Sequence, residues 1–286
     1  MDTLNNIKPT YTLNCKGKLL VLNTPKIMGI LNTTPDSFFD GGQYNRVDNA
    51  LARAEKMLFE GADILDIGGY STRPGAAVIS ESEEIERTAK VIVHIKKHIP
   101  QAILSVDTFR ANVAKACIDA GAAIVNDISA GDDDAEMIPY IVNTNVPYIV
   151  MHKQGTPQTM QKDPQYTNVV QEVVDYLARK VALLHSMGIN DIVIDPGFGF
   201  GKTVEHNYQL LKHLNAFSVC GVPILAGLSR KSLINKVLNT KAAEALNGTT
   251  VLNTIALLNG AHILRVHDVK EAKEAITLVG LYSTIN

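Results

Sequence analysis

The chain has 286 residues, 46% hydrophobic and 20% charged, a composition that fits one large α/β domain or two small ones. Its 27 lysines and arginines nearly balance 29 aspartates and glutamates, so the net charge of −2 carries no basic excess pointing to nucleic acid. Met1–Pro9 has no apolar signal core and no apolar run approaches a membrane span, so a soluble cytoplasmic protein without a membrane partner is expected. Cys15, Cys117 and Cys220 are far apart and form no C-x-x-C, which reads as core thiols rather than disulfides or zinc ligands.

Residues 11–23 hold two extended runs around a Lys-Gly turn, predicting a β-hairpin ahead of the main fold, with residues 1–25 as an extension. From residue 26 a unit repeats: a short apolar run, a polar or Gly-rich loop, then an amphipathic helix. The first strand is Ile27-Met-Gly-Ile-Leu31, ending at Asn32, with its helix over Val47–Phe59. The second is Ile64-Leu65, ending at Asp66, with a helix from about Glu83 to His98. The third, Ile103-Leu-Ser-Val106, ends at Asp107 and precedes a helix over Ala111–Ala120. The fourth, Ala123-Ile-Val125, ends at Asn126 and Asp127, with a helix near Ala135–Val142. The fifth, Tyr148-Ile-Val-Met151, ends at His152, and its helix spans Val169–Met187. The sixth, Ile192-Val-Ile194, leads into Asp195-Pro-Gly-Phe-Gly-Phe-Gly-Lys-Thr203 and a helix near Glu205–Leu214. The seventh, Pro223–Leu228, ends at Ser229-Arg-Lys-Ser232, with a helix within Ala243–Leu258. The eighth, Ile263-Leu264, runs into Arg265-Val-His267-Asp268 and a last helix, Val269–Leu281.

Eight strand–helix units in one chain predict a (β/α)₈ TIM barrel, an α/β fold, as a single domain over residues 26–286. Fully apolar strands alternating with helices require a parallel sheet covered on its outer face. In such a barrel every strand C-terminus opens on one face, where active sites sit. Those termini carry Asn32, Asp66, Asp107, Asn126, His152, Asp195, Lys231, Arg265 and His267. Asp107, Asn126 and Asp195 suit a flat heterocycle with N–H donors, such as a pterin or guanine edge. Lys231, Arg265 and His267 suit an anion, most naturally phosphate.

Other chemistries find less support. The glycine run before Lys202 is not a phosphate loop, because the first glycine of that pattern falls on Pro196. No H-x-x-x-H or H-E-x-x-H marks a zinc site, and no Ser-His-Asp or Cys-His set can be assigned from spacing. Magnesium held mostly by substrate phosphate leaves little trace and stays open. Two long loops, Thr33–Gly42 and Gly68–Gly75, are candidate lids on the active face.

Together these motifs resemble dihydropteroate synthase, from about residue 26 to 282. They are Gly29-Ile-Leu-Asn-Thr-Thr-Pro-Asp-Ser-Phe38, Ser71-Thr-Arg-Pro-Gly75, Ser105-Val-Asp-Thr108, Asn126-Asp-Ile128, Asp195–Lys202, Ser229-Arg-Lys-Ser232 and Arg265-Val-His-Asp268. The resemblance implies a transferase of folate biosynthesis that joins 6-hydroxymethyl-7,8-dihydropterin diphosphate to p-aminobenzoate and is a target of sulfonamides. It implies that Asp107, Asn126, Met151, Asp195 and Lys231 hold the pterin. Asn32, Thr72, Arg265 and His267 would hold the diphosphate, with Asn32 on Mg²⁺. The p-aminobenzoate would lie among Asp36, Phe38, Arg73, Pro74, Phe200, Lys231 and Ser232. Asp107, Asp195, Lys231 and Arg265 would carry the chemistry, and the family implies a homodimer through late barrel helices. Pterin-binding methyltransferases that serve a corrinoid, and a non-catalytic pterin-binding protein, are the alternatives. Neither requires the Arg265/His267 anion site or the Ser71–Gly75 loop.

Overall fold

Short β-branched runs, apolar on both faces, can be buried on both faces only in a parallel sheet wrapped by helices. The computed structural model describes residues 10–33, 43–71, 78–155, 160 and 163–285. After an antiparallel hairpin, β1 (Tyr11–Cys15) and β2 (Lys18–Leu22), come β3 (Lys26–Asn32), β4 (Ile64–Gly68), β5 (Ile103–Asp107), β6 (Ile124–Asp127), β7 (Tyr148–Met151), β8 (Ile192–Asp195), β9 (Leu225–Ala226) and β10 (Ile263–Val266). The helices are α1 (Gln43–Phe59), α2 (Glu81–His98), α3 (Ala111–Asp119), α4 (Met137–Thr144), α5 (Val169–Ser186), α6 (Val204–Lys212), α7 (Ser232–Leu238), α8 (Leu246–Leu258) and α9 (Val269–Tyr282). Strands β3 to β10 pair in parallel in the order β8-β7-β6-β5-β4-β3-β10-β9. A bridge between Ile194 and Ile224 joins the two ends. The expected (β/α)₈ barrel with its N-terminal hairpin is what forms.

Three expected boundaries shift, with consequences for the site. Asp66 does not end its strand, because β4 continues to Gly68 in register with β5, placing Asp66 opposite Ser105. Arg265 likewise lies inside β10. The seventh unit has a helix not anticipated, α7, starting at Ser232 directly after Lys231, while the later helix is α8 with a 3₁₀ turn over Ala242–Glu244 before it.

Side chains alternate along a strand, so inward positions stack in layers up the barrel. The lowest layer is apolar: Met28, Ile64, Ile103, Ile124, Ile149, Val193, Leu225 and Ile263 form one buried cluster with Leu13, Cys15, Leu20 and Leu22 of the hairpin. The hairpin therefore plugs the strand N-terminal end of the barrel. Its turn has Lys16 at φ 54° and Gly17 at φ 86°, the backbone that suits a two-residue hairpin. Asn14 N–H donates to Asp191 Oδ2 at 2.8 Å and Lys18 Nζ donates to the Gln101 carbonyl at 2.8 Å, which tie the plug to the barrel rim. Cys15 and Cys117 are buried free thiols, and Cys220 is half-buried. Leu13 is 1% exposed. Leu13→Ala is expected to cost about 2–5 kcal/mol in urea unfolding, while leaving ligand affinities of the folded protein unchanged.

Candidate active site

Two residues above each apolar floor position, the same inward face turns polar. The second layer carries Ile30, Asp66, Ser105, Asn126, Met151, Asp195, Gly227 and Arg265; the third carries Asn32, Gly68, Asp107 and His267. The opposite faces of the same strands supply the outer core, including Leu65, Leu104, Val125, Ile194 and Leu264. Asp127, next to Asn126, points outward and has a structural job. It accepts from the Ser129 and Gly131 N–H groups at 2.7 Å and from Tyr148 Oη at 2.6 Å.

Charged groups in this interior are paired across the barrel. Arg265 Nε donates to Asp66 Oδ2 at 2.7 Å, and Arg265 Nη2 donates to Asp107 Oδ2 at 2.5 Å. Asn126 Nδ2 donates to the same Asp66 oxygen at 3.0 Å. Asp66 Oδ1 and Ser105 Oγ are buried without a hydrogen-bond partner among the described residues. Asn32 Oδ1 and Asp107 Oδ2 each lie 3.6 Å from where a side chain on Gly68 would begin. Asp195 Oδ2 and Lys231 Nζ each lie 3.7 Å from the corresponding point at Gly227. A Cβ at either glycine would thus make ordinary van der Waals contact with these polar groups. His267 Nδ1 lies 3.0 Å from Ser229 Oγ, which also accepts from the His267 N–H at 3.1 Å.

The glycine-rich turn after β8 shapes one wall. Gly197 and Gly201 have φ of 72° and 65°, and a Cβ there would come within 1.9 Å of the His152 carbonyl and 2.4 Å of the Gln154 carbonyl. Only glycine permits that approach. Gly197 N–H donates to Asp195 Oδ1 at 2.7 Å. The Lys231 ammonium donates to the Phe198 carbonyl and sits 4.9 Å from the centre of the Phe200 ring. Behind the turn, Lys202 is 3% exposed; its Nζ donates to His152 Nδ1 at 3.0 Å and to the Gly197 and Phe200 carbonyls at 2.9 and 3.0 Å.

The described residues expected at the mouth divide into two groups. Asn32, Asp107, Asn126, Met151, Asp195, Lys231, Arg265 and His267 converge on the barrel interior. Phe200 is half-buried at the rim, and Ser232 is exposed on the first turn of α7. His152 does not reach the mouth: it is buried behind the glycine turn against Lys202. Asp36, Phe38, Thr72, Arg73 and Pro74 lie outside the described residues.

Residues 28–267 match the pterin binding enzyme family. The dihydropteroate synthase of Escherichia coli strain K12 is 43% identical over 269 residues, covering 93% of this chain and 95% of its own length. The chain belongs to the dihydropteroate synthase family. Solved members share the fold: that of Xanthomonas albilineans with 4-aminobenzoic acid superposes with a TM-score of 0.90 at 38% identity, covering 97% of this chain and 100% of its own. A Yersinia pestis dihydropteroate synthase with a sulfonamide drug complex also reaches 0.90, at 40% identity, covering 96% of this chain and 100% of its own.

The electrostatics of this dihydropteroate synthase barrel follow from burial partly offset by pairing. Burial pushes the Asp107 carboxyl up to about 7, with Arg265 holding it down and Asp66 adding to the rise. Burial also raises Asp195, against the pull of Lys231. Lys231 is lowered to about 8 by burial, offset by Asp195. Burial works against the Arg265 charge, yet Asp66 and Asp107 more than offset it and the net shift is upward. Burial, then Lys202, holds His152 down at about 3, so a neutral imidazole accepts the Lys202 bond. Sequence reasoning placed Asp66 on the rim without a binding role and gave none to Ser105 or Lys202. For the first two the available signal was their spacing, two residues before Gly68 and Asp107 on the same strand face. Lys202 gave none, because its partners are carbonyls and a histidine fifty residues away.

Proposed function

We propose that the chain condenses 6-hydroxymethyl-7,8-dihydropterin diphosphate with p-aminobenzoate to give 7,8-dihydropteroate and diphosphate, the family's step in folate synthesis. The observation that carries the reading is the polar interior at the strand C-terminal end of the barrel, where acids and an amide (Asp107, Asn126, Asp195) stand with cations (Lys231, Arg265, His267). A pterin edge offers N–H donors to the acids and an acceptor to Lys231, with Met151 against the ring; the diphosphate takes Arg265 and His267.

In the reaction the C–O bond between the pterin CH₂ and the diphosphate breaks, and the electron pair leaves with the diphosphate. The positive charge left on carbon spreads into the pterin, where Asp107 and Asp195 stabilise it. Arg265 and His267 stabilise the leaving anion. The aniline nitrogen of p-aminobenzoate, placed beside Phe200, Lys231 and Ser232, then attacks the carbon and gives up a proton to solvent or to the departed diphosphate. Positioning rather than a protein nucleophile drives that step. Asp36, Phe38, Thr72, Arg73 and Pro74 complete the site in this reading.

Asn32 Oδ1, beside Gly68, is a neutral oxygen donor of the kind a hard cation takes. Asn32 Oδ1 would hold Mg²⁺ there, and substrate phosphate would supply most of its other ligands. Among the described residues no group of three or more His, Cys, Asp or Glu side chains could hold a metal ion. When bound, Mg²⁺ neutralises charge on the leaving diphosphate.

The free enzyme should show a bell-shaped pH dependence of kcat/KM. The acid limb falls below about 7 as Asp107 takes up a proton, and the alkaline limb falls above about 8 as Lys231 loses one. Lys231→Met should remove the alkaline limb while lowering activity throughout; an unchanged upper limb would assign it elsewhere. Product identification tests the function itself. Incubating both substrates with enzyme and Mg²⁺ should yield 7,8-dihydropteroate by mass spectrometry. Absence of that product, with methyl transfer to a corrinoid instead, would favour the methyltransferase alternative.

A homodimer fits the surface. Val251, Ile255 and Leu258 form an exposed stripe on α8, beside exposed Leu278, Leu281 and Tyr282 on α9. Among the described residues no helix is long and apolar enough to cross a membrane. A cytoplasmic location is part of this proposal.

A further inference from the structure

One carboxylate oxygen, Asp66 Oδ2, accepts hydrogen bonds from two residues that serve different ends of the substrate. Arg265 Nε reaches it at 2.7 Å and Asn126 Nδ2 at 3.0 Å. Asp66 is fully buried, and it sits one layer below the open mouth, beneath Gly68 on the same strand face. Both of these bonds fall on Oδ2, so through that oxygen Asp66 acts on a ligand by way of those two side chains. Arg265 also holds Asp107 through Nη2 at 2.5 Å, so a cation of the anion end and an acid of the heterocycle end satisfy each other in the free protein.

We propose that Asp66 is a positioning residue shared by the two ends of the site, and that it links them. The proposal rests on the assignment of Asn126 and Asp107 to the pterin and of Arg265 to the diphosphate. A diphosphate that draws Nη2 of Arg265 leaves Asp107 free for the pterin, and a pterin that engages Asp107 leaves Nη2 free for the anion. Whichever ligand arrives first opens the Arg265–Asp107 pair, and the second finds it open. Asp66 keeps Arg265 and Asn126 in place while that pair is apart. The two ends therefore bind with positive, reciprocal coupling.

Calorimetry on the full chain tests this without turnover, because p-aminobenzoate is left out. The probes are 6-hydroxymethyl-7,8-dihydropterin, which carries a hydroxyl in place of the diphosphate, and inorganic diphosphate with Mg²⁺. In the wild type, saturating diphosphate should tighten the pterin Kd by about fivefold or more, and pterin should tighten diphosphate by the same factor. Asp66→Asn should raise both Kd values by about tenfold, since each end loses a charged hydrogen-bond anchor. Asp66→Glu, which keeps the charge, should restore part of both. A role confined to stability would lower Tm and move neither Kd of the folded protein. Overturning results are an Asp66→Asn effect on one ligand alone, or independent binding of the two probes to the wild type. The wild-type arm stands even if Asp66→Asn does not fold. Failure of the wild type to bind either probe would overturn the assignment of the two ends, and the inference with it.

Discussion

Asp195→Asn lowers kcat/KM by about 10²- to 10³-fold, the range for removing one electrostatic contact to a charge that develops in the transition state. The change is nearly isosteric. An asparagine carbonyl still accepts from the Gly197 N–H, so the glycine turn keeps its anchor and the fold its Tm. What disappears is a negative charge facing the carbon that becomes cationic. A second effect has the same sign. Asp195 holds the Lys231 ammonium up against burial, so its removal lets Lys231 fall below about 8 and lose charge near neutral pH. The loss should therefore be larger at pH 8 than at pH 7. Steady-state kinetics on a variant of unchanged Tm decide it, and near-normal activity would sink the role given to Asp195.

Arg265→Met has the other large effect, and it falls on both activity and stability. Turnover should drop at least as far as in Asp195→Asn, because the leaving diphosphate loses its guanidinium. Stability should fall by about 3–5 kcal/mol, the cost of breaking a buried ion pair and stranding its partner. Here two carboxylates are stranded, Asp66 and Asp107. The pH dependence follows from Asp107, whose folded pKa of about 7 lies above the unfolded carboxylate value of about 4. A raised carboxyl favours the fold below its unfolded pKa, and that contribution is lost as pH rises through the folded one. Arg265 lowers the Asp107 pKa, so removing it pushes the folded value higher and widens the window of loss. Urea unfolding should show the variant closer to wild type at pH 5 than at pH 8. A uniform deficit at both would mean that Asp107 is not the stranded group.

How far the sequence reveals this site depends on which contacts are local. Strand ends are local, and Asn32, Asp107, Asn126 and Asp195 were legible because an apolar run stopping at a polar residue marks a barrel rim. Asp66 and Arg265 break that rule. A lone charge inside a strand reads as its end, yet here the two strands continue, since charges 199 positions apart in the chain neutralise each other across the barrel. No pattern along one strand announces a partner on another. Lys202 was silent for a related reason: with Pro196 excluding a phosphate loop nothing local marks it, and the ammonium turns inward to carbonyls and His152. The hairpin was visible from its Lys-Gly turn, whereas its docking on the barrel floor was not. That floor is assembled from one inward residue of each of eight strands and becomes a surface only once the barrel closes.

The most direct measurement is diphosphate release by the purified 286-residue chain supplied with the dihydropterin diphosphate and Mg²⁺, with and without p-aminobenzoate. The account predicts release that requires p-aminobenzoate and is blocked by a sulfonamide competing for the same place. Tight pterin binding with no p-aminobenzoate-dependent release would contradict it.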